Sequence, residues 1–231
     1  MRLIILLALL TYLQPFVAAA QESSPFPNVP INAETLRLQE QADELYERAN
    51  YERAFSIYRD DLAPLGDKYG QYMVGFMYLA GKGVPEDRVA ASAWYRVAAE
   101  RDAKEFVRAR DGLVKALDAE QKAQSDRMFI ELRKEYGDLA LLLEAVRVDQ
   151  ELLQKSTGSR LSAGDNALLI VRPNHLASTQ TGDQYYGEIE QRLQARLEFI
   201  AAQTNTEIID INKMDFSALE SRVDQHVEEL D

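Results

Sequence analysis

Few residues of this 231-residue chain are typed and spaced for chemistry. The two imidazoles, His175 and His226, lie far apart in the chain. A metal pair would require the fold to bring them together, so two unrelated polar histidines is the plainer reading. Asp210, Asn212 and Asp215 mimic part of a calcium loop. The positions that need an acidic or amide residue and then a glycine hold Met214 and Asp215 instead. Gly81-Lys82-Gly83 invites a phosphate-loop reading, but the G-x-x-x-x-G-K-[ST] spacing is missing. No H-E-x-x-H pair and no G-x-S-x-G elbow occur. Asp60-Asp61 and Glu228-Glu229 are sequence neighbours, and helical neighbours point apart, so solvated charge is the expectation. The chain has no cysteine, which removes thiol nucleophiles and thiolate metal sites. The residues therefore assign no catalytic group, metal ligand or cofactor, and the chain reads as a non-enzyme.

The elements are more informative. Glu34 to Asn50 reads as a helix with Leu38, Ala42 and Leu45 on one face, and Ala54, Phe55, Tyr58 and Leu62 form a second stripe. A stretch from Val74 to Glu100 then reads as helix, glycine-punctuated turn, helix. Gly75 and Ala91 are small enough for two helices to cross closely. Gly81 suits a left-handed helix end, Gly83 carries the turn onward, and Pro85 presets the next helix start. Tyr78, Trp94 and Tyr95 supply large, stiff packing groups. Ala98-Ala99 leaves room for a following helix. Asp118 and Gln121 match a capping box, which predicts a helix from Ala119 to about Tyr136. Asp138 to Gln154 is a further helix, with Leu139, Leu142, Leu143, Val146 and Leu153 on its stripe.

The stretch Val74-Gly75-Phe76-Met77-Tyr78-Leu79-Ala80-Gly81-Lys82-Gly83-Val84-Pro85-Glu86-Asp87, followed by Ala91-Ser92-Ala93-Trp94-Tyr95-Arg96-Val97-Ala98-Ala99, resembles the Sel-one-like repeat, a relative of the tetratricopeptide repeat. Gly75, Tyr78, Gly81, Gly83, Asp87, Ala91, Trp94 and Ala98 are the positions that carry the likeness. It reaches Glu34 to Tyr136 at most and is specific only for this second unit. The resemblance implies a stacked helical scaffold that binds another protein or peptide. It also implies a concave face, on which Gln39, Asp43 and Tyr46 of the first unit would join Tyr69, Tyr72 and Phe76 of the second. That aromatic groove would anchor a peptide or a partner helix, or be covered by the chain's own ends.

After a Ser- and Gly-rich stretch at 155–164 the pattern changes. Ala167 to Val171 predicts a buried strand, Tyr185 to Gln203 an amphipathic helix, Glu207 to Ile211 a second strand and Phe216 to Leu230 an acidic helix. Two strands joined through a helix would be parallel; an all-helical reading also fits. Arg2, the apolar run Leu3 to Leu10 and Ala18-Ala19-Ala20 predict a cleaved export signal and a periplasmic or secreted protein, without stable membrane insertion. The net charge of −12 disfavours nucleic acid and anionic lipid as partners. The expected architecture is mainly α. It comprises a signal at 1–20, an extended Pro-rich leader at 21–33 and a short α-solenoid at 34–157. A linker at 158–165 and a small α/β or helical appendage at 166–231 complete it. The expected function is an exported adaptor; the alternatives are an envelope enzyme or enzyme subunit using the appendage, and a self-associating structural module.

Overall fold

The computed structural model describes residues 26–27, 33–158, 169–171, 179–206 and 215–229. The export segment, most of the leader, His175 and the expected strand at 207–211 lie outside the described residues.

The molecule is mainly helical. Helix α1 (Ala33–Glu47) turns through Ala49, which is left-handed at φ 58°, into α2 (Tyr51–Ser56). This helix widens into a π-helical turn at Ile57–Leu62 and tightens into a 3₁₀ turn at Ala63–Leu65. The stripe read from the sequence faces inward: Ala54, Tyr58 and Leu62 are fully buried and Phe55 nearly so.

Helix α3 (Lys68–Ala80) and helix α4 (Arg88–Ala98) form the second hairpin. Asp67 caps α3 by accepting from Gly70 N at 2.6 Å, and Asp87 caps α4 by accepting from Val89 N and Ala90 N. These bonds satisfy amides that the first helical turn leaves without partners. Gly81 ends α3 in the left-handed conformation at φ 62°. Gly75 shows why the crossing needs glycine: a β-carbon there would lie 2.7 Å from Tyr95 Cδ1 and 3.1 Å from the Ala91 carbonyl oxygen. Gly83, at φ 73°, runs so close to the first hairpin that a β-carbon would lie 2.5 Å from the Tyr51 carbonyl oxygen. Trp94 is buried against the first hairpin's core and packs on Tyr136, and Tyr78 packs edge-on against Phe55.

Helix α5 (Lys104–Ala116) and helix α6 (Ala119–Tyr136) follow. The capping box of Asp118 and Gln121 is formed at the start of α6. Both helices pack on α4 rather than along each other.

Helix α7 (Asp138–Gly158) belongs by its core to the C-terminal elements. Its Leu139, Leu142, Leu143 and Val146 meet Leu193, Leu197 and Ile200 of α8 (Gly182–Thr204), and Leu219, Val223 and Val227 of α9 (Phe216–Glu228). The inward stripes of α8 and α9 are those the sequence indicates.

The expected partner strand at 207–211 lies outside the described residues, which instead hold a strand the sequence does not announce. Strand β1 (Leu169–Val171) pairs antiparallel with β2 (Thr179–Thr181), in the register Leu169↔Thr181, Ile170↔Gln180, Val171↔Thr179. Antiparallel strands can be joined by a short link, whereas a parallel pair needs a crossover of a dozen or more residues. Helix α8 starts earlier than its apolar stripe suggests because Thr181 and Gln184 form a second capping box.

Lys68 ties the two halves together. Its buried ammonium donates to Val97 O at 2.8 Å, Gln71 Oε1 at 3.0 Å and Glu100 Oε2 at 2.9 Å, and lies 3.0 Å from Asp138 Oδ1. Arg101 adds two bonds to Asp138, of 2.9 and 2.8 Å.

Candidate functional site

The residues of the expected aromatic groove are brought together, and they spend their polar groups on one another. Gln39 Nε2 donates to Asp67 Oδ2 at 2.6 Å. The hydroxyls of Tyr58 and Tyr69 both donate to Asp43 Oδ1, the latter at 2.9 Å. Tyr46 accepts from Lys82 Nζ at 2.6 Å and lies against Tyr51 and Phe76. Tyr72 stacks on Tyr95, ring centres 5.1 Å apart, and touches Phe106. These side chains form a half-buried wall between the hairpins. Burial, above all, raises the pKa values of Tyr58, Tyr69, Tyr72 and Tyr95 above the usual tyrosine range. At neutral pH their hydroxyls stay protonated and act as donors, not as bases.

Lys82 sits over the rings of Tyr46 and Tyr51, 4.7 and 4.8 Å from their centres. The glycine-flanked lysine thus spends its charge holding the turn after α3 to the first hairpin. Gly75, Tyr78, Gly81, Gly83, Asp87, Ala91, Trp94 and Ala98, the positions that carry the resemblance, all lie within the second hairpin.

A more open feature lies further along the chain. A cleft of about 680 Å³ has α4 as its floor and α5 and α6 as its walls, with residues of α7, α8 and α9 closing one end. Phe129 is central to it. The Arg96 guanidinium lies 4.0 Å and that of Arg133 5.5 Å from the Phe129 ring centre, one cation on each contact. Arg96 is held by Asp126 at 2.6 Å. Arg133 is held by Glu229 O at 3.0 Å and lies 3.5 Å from Glu100 Oε1. Arg110 pairs with its neighbour Asp111. Lys122 and Asp102 also line the cleft, and among the described residues their side chains have no charge partner. The Oγ atoms of Ser92 and Ser125, on the α4 and α6 sides, are buried and find no hydrogen-bond partner among the described residues.

His226 reaches this cleft, together with Gln203 and Phe199. Among the described residues no group of three or more His, Asp or Glu side chains is placed to hold a metal ion. No described helix is long and apolar enough to cross a membrane. The cleft therefore offers guanidinium, ammonium and carboxylate groups around aromatic rings. Such a set suits recognition of a polar surface with an apolar centre.

A buried ion cluster is absent from the sequence reading. Asp149 of α7 accepts from Arg196 Nη1 at 2.5 Å, from Arg192 Nη2 at 2.5 Å and from Arg192 Nε at 3.1 Å. Arg196 and Asp149 are each 2 % exposed at the side chain. Burial lowers the Arg196 pKa; Asp149 opposes this, while Arg192 adds to it. The sequence holds a signal for the cluster: Arg196 falls on the apolar stripe Ile189–Leu193–Ile200, and Asp149 on the stripe Val146–Leu153. Opposite charges on two inward faces imply a pair.

Comparison with protein-family models, with curated proteins and with solved structures finds no match to this chain.

Proposed function

We propose that this chain is an exported, non-enzymatic scaffold of the Sel-one-like type that holds another protein or peptide in the cleft between α4, α5 and α6. The observation that supports this reading is the second hairpin. Gly75 and Gly83 stand where a β-carbon would collide, and Gly81, Gly83 and Asp87 lie in the turn that the repeat resemblance implies. Two hairpins in contact through Gly83 and Tyr51 form the start of a stacked array, and stacked arrays present elongated binding faces. The cleft supplies aromatic area at half-buried Phe199 for affinity, and unspent charge of both signs at Lys122 and Asp102 for selectivity. In this reading the aromatic set at Tyr46, Tyr69, Tyr72 and Phe76 serves as the wall between hairpins, with its outer edge as the second docking surface.

The test is capture from bacterial envelope extract with purified mature protein. Lys122→Glu and Asp102→Lys reverse charges that the described fold does not use. A captured protein that is lost with both variants, at unchanged circular dichroism, supports the cleft. Capture that survives both variants but fails with a folded Tyr72→Ala protein moves the site to the aromatic wall. Absence of any captured protein counts against the scaffold reading.

A further inference from the structure

A short piece of the leader is seated between the two halves of the molecule. Phe26 meets Phe199 of α8 edge-on, ring centres 5.3 Å apart. On another side the Arg101 guanidinium lies 3.9 Å from the Phe26 ring centre. Arg101 belongs to the 3₁₀ turn after α4, and its two bonds to Asp138 fix the plane it offers to the ring. The Pro27 carbonyl accepts from Arg196 Nε at 3.3 Å. Arg196 is buried and anchored by Asp149 and by the Ala145 carbonyl, so this donor is rigid before anything binds it.

We propose that Arg101, Phe199 and Arg196 form a docking site for an aromatic–proline segment, and that the chain's own leader is its occupant in cis. Each part reads a different chemical feature. Phe199 and the Arg101 plane enclose an aromatic ring, which cation–π attraction favours over an aliphatic side chain of similar size. Arg196 Nε donates only to a carbonyl placed one residue beyond that ring. Proline restricts the backbone at its own position and at the residue before it, so the segment loses less freedom on docking. Docking joins the end of the second hairpin to α8. It braces Phe199, which is also a wall of the cleft. The assignment stands on these contacts alone and does not depend on what the cleft binds.

The test uses the full chain carrying Phe26→Ala, with its fold checked by circular dichroism, and a labelled synthetic peptide spanning residues 21–32. The peptide should bind the variant saturably and at least about tenfold more tightly than it binds the wild-type chain. There a tethered copy competes at an effective concentration near the millimolar range. A peptide carrying the same Phe26→Ala change should not bind. A full chain carrying Phe26→Leu keeps apolar bulk but loses the ring, and should also take up the wild-type peptide; it serves where the alanine variant fails to fold. Equal affinity for wild type and variants, or no binding to a folded variant, overturns the site. A wild-type dimer by light scattering that becomes monomeric with Phe26→Leu overturns the cis assignment and makes a second copy the occupant.

Discussion

The helices before Gly137 and those after it are packed by different means. The first group is held by close backbone approach. Gly75 lies under Tyr95, Gly83 touches the Tyr51 backbone, and Ala42, Ala54, Ala91 and Ala98 are fully buried at crossings filled by aromatic rings. The second group is held by aliphatic stripes on α7, α8 and α9, with the Arg196–Asp149 pair set among them. In the first group a side chain that is too large does the damage. In the second, the damage comes from losing one partner of a buried charge. The contrast shows that a lack of volume and a balance of charge can each specify which helices meet.

The comparison can be broken most forcefully at Asp149. Asp149→Ala leaves the Arg196 guanidinium buried with only carbonyl partners, and should cost about 3–5 kcal/mol, the usual penalty for an orphaned buried charge. Denaturant unfolding monitored by circular dichroism measures it. A loss below about 1 kcal/mol, as for a surface pair, would mean that water reaches the arginine.

A smaller effect is expected at the glycines. Gly83→Ala adds about 1–2 kcal/mol for a left-handed non-glycine residue. To this comes about 1–3 kcal/mol for pressing a methyl on the Tyr51 backbone. Gly112→Ala is the control: nothing lies within 4 Å of its β-carbon position, and the helix gains up to about 1 kcal/mol. The ordering of these two variants in thermal unfolding decides whether contact, rather than glycine content, governs this half.

The smallest expected effect sharpens the electrostatic side. Burial, opposed by hydrogen bonds from Gly70 and Gln39, raises the Asp67 pKa. A raised carboxyl contributes stability that is present below the ordinary value of about 3.9 and lost as pH rises through the folded-state pKa. Asp67→Asn keeps a capping oxygen and removes the ionisation. Its stability relative to wild type should therefore increase as pH rises from acid to neutral, then level off. A difference independent of pH would show that Asp67 is hydrated in the folded chain.

Much of the helical framework was legible in the sequence because its signals are local. Asp118 and Gln121 mark the start of α6 within four residues, and Gly81 marks the end of α3 within one. The apolar periods of α8 and α9 identified their buried faces. Other features depend on what folding brings together. Thr181 and Gln184 show the same capping pattern as α6, but the apolar period begins later and masked it. Strand β2, Thr179–Thr181, is polar and carries no apolar run, so composition did not mark it. The cleft depends on how α5 and α6 separate over α4, which no single helix encodes. The aromatic residues at Tyr69, Tyr72 and Phe76 were legible as one face, yet the sequence did not disclose that Asp43, Tyr95 and Phe106 occupy their polar and stacking positions.

The π-helical turn at Ile57–Leu62 has a consequence for how this half tolerates change. A π turn is equivalent to one residue looped into an ordinary coil. Deleting a single residue there restores regular winding and leaves the upstream and downstream faces nearly in phase, because the wider turn already absorbs the extra residue. Tyr58 would keep Asp43 within reach while Leu62 stays under Gly70. The surplus residue is thus absorbed where it sits, and this stretch tolerates shortening by one residue better than a regular helical turn would.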